Sequence, residues 1–120
     1  MAVILVVDDD PAIRRVVRRV LEGVGHRVSE CTNGHEALDL FQRVRPDLVI
    51  TDMHMPGGDG QVLSDGLRRA GLPHPKIIVF SGSGEEDLVA IATAIGAVAT
   101  LGKPFTRDEL LDAVNKVAAA

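Results

Sequence analysis

Aromatic residues are almost missing from this chain: it has three Phe, no Tyr and no Trp in 120 residues. Its core must therefore be built from Val, Leu, Ile and Ala, and a flavin site would lack the rings that stack on the cofactor. The single cysteine, Cys31, excludes an internal disulfide and any Cys-based metal site. The cytoplasm is the compartment that fits this cysteine usage. No apolar run approaches the ~18 residues that a membrane helix needs. Positive charge is not in excess either. The formal net charge is -4, which speaks against nucleic acid as a direct partner, since that affinity comes from clustered cations. The opening apolar residues lack a positive leader and run straight into Asp8-Asp9-Asp10, so a signal peptide is rejected. Ser81-Gly82-Ser83-Gly84 is glycine-rich but does not form a Walker loop. The length suits one domain with one core, expected to span residues 1–120.

What is present is a regular alternation. Val3-Ile4-Leu5-Val6-Val7 reads as a buried strand. Pro11 suits a first helical turn, and Ile13, Val16, Val17, Val20, Leu21 and Val24 follow at helical spacing. Gly23 and Gly25 end that helix. Residues 27–31 form a second, more polar strand, which suits a sheet edge. Asn33-Gly34 opens a helix through Ala37, Leu38 and Phe41, stopped by Pro46, and residues 47–51 are the third strand. Residues 52–60 are a Gly/Pro-rich loop. The next helix carries Val62, Leu63 and Leu67 but contains Gly66, which costs roughly 1 kcal/mol against Ala. Residues 76–80 are the fourth strand. A helix follows, with Glu85, Glu86 and Asp87 in its first turn and Leu88, Ile91, Ala92 and Ile95 on its apolar face. Residues 97–101 are a short fifth strand. Thr106 reads as the N-cap of the last helix, with Glu109 as its capping-box partner.

Five β-α units with no linker or repeat imply an α/β fold: a flavodoxin-like (βα)5 three-layer sandwich on a parallel five-stranded sheet of order 2-1-3-4-5. In such a sheet the C-terminal strand ends share one edge, and ligands bind at the switch point between strands 1 and 3. Asp8 and Asp9 end strand 1, Asp52 follows strand 3, Ser81 follows strand 4, and Lys103 lies just past strand 5. Three carboxylates, a hydroxyl and an ammonium would then converge. Without a cation the acids would repel one another; with Mg²⁺ and a phosphoryl group they form a phosphoryl-transfer site. A carboxylate can act as the phosphoryl nucleophile, and Lys103 and Ser81 would supply charge and a donor to the transferring oxygens.

Taken in order, Ile4-Leu5-Val6-Val7-Asp8-Asp9-Asp10-Pro11, residues 46–56 (Pro-Asp-Leu-Val-Ile-Thr-Asp-Met-His-Met-Pro) with Asp59-Gly60, the strand ending at Ser81, and Lys103-Pro104-Phe105 resemble the receiver domain of two-component response regulators, the CheY-like superfamily. The resemblance covers essentially the whole chain. It implies that Asp52 is the phosphoacceptor, that Asp8 and Asp9 hold Mg²⁺ with the backbone carbonyl of His54 as a further ligand, that Ser81 moves to the phosphoryl group, and that Lys103 pairs with it ahead of a cis Lys103-Pro104 bond. It also implies a histidine kinase or phosphotransfer protein as donor. The output would be a downstream protein or a linked domain, reached through the predicted fourth helix, fifth strand and fifth helix, around residues 88–101. Such a domain is a switch rather than a metabolic enzyme.

Two features stand apart from the pattern. Thr100 stands where receivers often carry an aromatic switch residue, and His54 and Ser83 occupy the positions that tune phosphoryl lifetime. The rival readings are a phosphate-independent pseudo-receiver and a Mg²⁺-dependent phosphatase. The phosphatase would carry Asp-x-Asp where this chain has Asp52-Met53-His54. Arg14, Arg15, Arg18 and Arg19 read as the solvated face of the first helix, the face with which the family docks its kinase. His26, His35 and His74 read as surface residues without ligand spacing, and Cys31 as a packed edge-strand side chain.

Overall fold

The computed structural model describes residues 2–52, 60–81 and 96–119. Its strands are β1 (Val3–Val7), β2 (Arg27–Cys31), β3 (Leu48–Asp52), β4 (Lys76–Ser81) and β5 (Ala99–Gly102). Its helices are α1 (Pro11–Gly23), α2 (Gly34–Val44), α3 (Gly60–Arg69) and α4 (Arg107–Ala119). The expected helix over 85–95 lies outside the described residues. All strand pairs are parallel, in the order β2-β1-β3-β4-β5, as the alternation of elements required.

The helix boundaries follow from local chemistry. Asp10 caps α1, accepting from the Ala12 N–H at 2.9 Å, and Pro11 sits at its start, where no backbone donor is needed. Asn33 caps α2 by accepting from Glu36 N–H at 2.9 Å. Arg45 ends α2 in the left-handed region, φ 50, and Pro46 prevents continuation. At α4 the capping box is complete: Glu109 N–H donates to Thr106 Oγ1 at 3.1 Å, and Thr106 N–H to Glu109 Oε1 at 2.9 Å.

The sheet separates two apolar clusters. On one side Ile4, Val6, Ile50, Ile78 and Phe80 pack against Val17 and Leu21 of α1 and Leu110, Val114 and Val117 of α4. On the other, Leu5, Val7, Val49, Ile77 and Val79 pack against Ala37 and Phe41 of α2 and Leu63 and Leu67 of α3. These are the three layers, and aliphatic side chains fill nearly all of them. Two expectations need correction. Val16 and Val24, assigned to the apolar face of α1, are 49% and 47% exposed, so that face is a narrower stripe. Arg14 is not on the solvated face; its side chain is only 17% exposed.

Candidate functional site

Parallel pairing brings the carboxyl ends of the strands to one edge. Val7 lies opposite Thr51 and Asp52 opposite Phe80, so Asp8 emerges beside Asp52. Ser81 is paired with Gly102, one residue before Lys103. The carboxylates of Asp8, Asp9 and Asp52 offer oxygens that all lie within 4.8 Å of one another. Lys103 reaches over them, with its Nζ 2.9 Å from Asp8 Oδ2 and 3.2 Å from Asp52 Oδ2. Lys103 thus bridges the two strands at the switch point. His54 and Ser83 lie outside the described residues, as does most of the expected output segment 88–101.

Asp8 is the most constrained member. It is fully buried, and each of its polar groups has a partner. Its N–H donates to the Cys31 carbonyl at 3.1 Å. Its Oδ1 accepts from Asp10 N–H at 2.9 Å, its Oδ2 from Lys103, and its carbonyl from Arg14 Nη1 at 2.6 Å. A buried carboxylate persists only with such compensation. Asp9, by contrast, is exposed and Asp52 partly so, which leaves their side open to an incoming group.

The Lys103 ammonium is stiffened from below. Its Nζ sits 5.3 Å from the centroid of the Phe80 ring, and Phe80 stacks on Phe105 at 5.0 Å and 11°. Cation–π attraction and the two carboxylates therefore hold the same group. Burial lowers the Lys103 pKa, but the hydrogen bond and charge of Asp8, followed by those of Asp52, outweigh it and leave the group above its ordinary value. It is a fixed cation. The Lys103-Pro104 bond is cis.

The donor set suits a hard cation. All three candidate ligands are carboxylates, the oxygen chemistry preferred by Mg²⁺, and no thiolate or imidazole stands among them. A cavity of about 500 Å³ lies elsewhere, between β5 and α4, lined by Thr100, Leu101, Glu109, Ala113 and Lys116 among others. Two acids, Glu109 and Asp112, and two lysines line it, but among the described residues only Asp8, Asp9 and Asp52 bring three carboxylates together, so chemistry rather than volume locates the site.

A model of the response regulator receiver domain matches residues 4–115. The chain belongs to this family. Receivers are signalling modules rather than metabolic enzymes, and phosphorylation-dependent switching is general among them. Sporulation initiation phosphotransferase F of Bacillus subtilis is 35% identical to this receiver, over 94% of this chain and 90% of its own. Chemotaxis protein CheY of Thermotoga maritima is 33% identical, over 95% of each. The crystal structure of a putative response regulator from Chloroflexus aurantiacus superposes with a TM-score of 0.89 at 30% identity, covering 99% of this chain and 98% of that one.

Glu30 and Phe80 are not singled out in the sequence, and Arg14 is placed there on a solvated face instead of against Asp8 and Glu30. Arg14 and Arg18 lie one helical turn apart and face Glu30 on the neighbouring strand. That spacing, with one acid on the following strand, was the available signal, but it requires knowing that β2 lies beside α1. Among the described residues no helix is long and apolar enough to cross a membrane.

Proposed function

We propose that this receiver, over residues 1–120, is a switch controlled by phosphorylation of Asp52. The observation that carries this reading is the bridge from Lys103 to Asp8 and Asp52 beside a third acid, Asp9. In this reading Asp8, Asp9, Asp52 and the His54 carbonyl hold Mg²⁺. A bound Mg²⁺ would neutralise part of the charge that otherwise repels an incoming phosphoryl group. The Asp52 carboxylate attacks phosphorus, forming an O–P bond as the donor's bond to phosphorus breaks and the leaving group departs with its electron pair. Lys103 then exchanges its contact with Asp52 Oδ2 for a phosphoryl oxygen, without needing to gain or lose a proton. The Ser81 hydroxyl follows as a second donor.

Lys103 is also the means of coupling. It rests on Phe80, Phe80 stacks on Phe105, and Phe105 leads into α4. A change in the ammonium's partner therefore bears on the β5–α4 region, although Thr100 offers no aromatic ring to rotate. The phosphodonor is a histidine kinase or phosphotransfer protein in the cytoplasm, and the output is a downstream protein or a linked domain. The domain's own chemistry is limited to self-phosphorylation and hydrolysis.

Incubation with acetyl phosphate and Mg²⁺, read by intact mass, tests this. One added phosphoryl group that requires Mg²⁺ and is absent in Asp52→Asn is the expected result. No added mass, together with no response to beryllofluoride, would leave a phosphate-independent binding module as the better account.

A further inference from the structure

Arg14 makes contacts that a solvated helix residue does not need. Its Nη1 donates to the Asp8 carbonyl at 2.6 Å, and its Nε donates to Glu30 Oε1 at 3.3 Å. Glu30 is held in turn by Arg18 Nη1 at 2.8 Å, and Arg18 Nε by Glu22 at 3.1 Å. A brace thus runs from the edge strand β2, across the first turn of α1, to the last carbonyl before Asp9. Two cations and two anions make it up, so it places little net charge near the acids.

The carbonyl it grips belongs to the peptide that joins Asp8 to Asp9. Asp8 is fixed independently by Cys31, Asp10 and Lys103. Asp9 is exposed, and no hydrogen bond to its carboxylate is found among the described residues. The direction in which Asp9 leaves Asp8 is therefore set by the peptide plane, and a short charge-assisted hydrogen bond at 2.6 Å sets that plane. We infer that Arg14, braced by Glu30, is a positioning residue that sets the spacing of the Asp8 and Asp9 carboxylates and thereby the affinity of this site for a divalent cation. This inference rests on the proposed role of the acidic cluster.

The sign of the effect separates positioning from charge. If Arg14 acted only as a nearby cation, removing it would tighten Mg²⁺ binding. If it positions Asp9, removing it weakens binding, by about 10-fold on the scale of residues that orient metal ligands. The experiment is a Mg²⁺ titration of the whole chain followed by backbone amide resonances, for wild type, Arg14→Met, Arg14→Lys and Glu30→Gln, with Asp8→Asn as control. Weaker binding in Arg14→Met, partial recovery in Arg14→Lys, and a displaced Asp9 amide resonance before any Mg²⁺ is added are expected. Glu30→Gln leaves the Arg14 charge in place and frees its side chain. Its weaker binding should persist at about 1 M NaCl, where the Debye length is about 3 Å, and it decides the matter should Arg14→Met not fold. Wild-type or tighter binding in Arg14→Met, or in Glu30→Gln at high salt, overturns the inference while Asp8→Asn still abolishes binding. Unchanged binding in Asp8→Asn as well would instead overturn the reading of the acidic cluster itself.

Discussion

Replacing Lys103 by Met removes the ammonium that bridges Asp8 and Asp52 and keeps most of its apolar stem over Phe80. The two contacts, at 2.9 and 3.2 Å, each amount to about 5–6 kcal/mol of attraction at an effective dielectric of ~20. Dehydrating the ions takes back several kcal/mol for each one, so the gross attraction far exceeds the net effect. Asp8 is fully buried, while the side chains of Lys103 and Asp52 are 22% and 20% exposed. Breaking a fully buried pair costs about 3–5 kcal/mol, and partial solvation moves the expectation to about 2–4 kcal/mol. The lost cation–π contact lies within that range. Urea unfolding followed by far-UV circular dichroism measures it. The variant should show a lower midpoint with an unchanged slope, and Mg²⁺ should recover more stability in the variant than in wild type, because it replaces a missing cation rather than competing with one. Wild-type stability without Mg²⁺, or an equal Mg²⁺ increment in both proteins, would refute the reasoning.

Three further outcomes are expected. His26 accepts the Ala2 N–H at Nδ1, 3.0 Å, and its pKa is lowered, chiefly by burial and then by the chain's amino terminus. Its contribution to stability is therefore whole above its ordinary value of about 6.5 and lost as pH falls through the lower folded value; His26→Asn should flatten the urea midpoint against pH in that window. A Cβ on Gly66 would lie 3.0 Å from Leu38 Cδ1 and closer still to Cδ2. Gly66→Ala should thus give well under the ~1 kcal/mol of helix propensity in wild type and about the full amount in a Leu38→Ala background, and equal effects in both backgrounds would exclude the contact. Cys31 is 2% exposed, and its thiol is pushed up to about 12, first by burial, then by the Glu36 charge, with Arg14 opposing. It should resist Ellman's reagent in the native protein and react once urea unfolds it, so prompt native labelling would contradict that burial.

Strand positions were legible because buried parallel strands are continuous runs of Val, Leu and Ile, and because the acids mark their ends. Strand boundaries were less so. The third strand is displaced by one residue, Leu48–Asp52 rather than 47–51, since the Asp47 N–H turns aside to the Val3 carbonyl at 2.8 Å. The fifth begins at Ala99 rather than 97, because pairing with Ile78 starts there. Gly66 looked like a weakness in α3 when only propensity was considered; the approach of Leu38 from α2 explains it, and no single-helix pattern carries that fact. Convergence of Asp8, Asp9, Asp52 and Lys103 was readable from topology, because each lies at a strand end. The role of Arg14 was not, because helical periodicity assigns a residue to a face but does not say that the face meets a backbone carbonyl.

The sheet's two sides also bear on how this molecule can vary. Side chains of Ile4, Val6, Ile78 and Phe80 meet α1 and α4, whereas those of Leu5, Val7, Ile77 and Val79 meet α2 and α3. Substitutions on opposite sides share no partners, so their effects on stability should add, while substitutions on one side should couple. The half beneath α2 and α3 can then be reworked without compensating changes around Phe80, Phe105 and α4, which hold Lys103. One half of this plan can drift while the half with Phe80 goes on holding Lys103 at the strand ends.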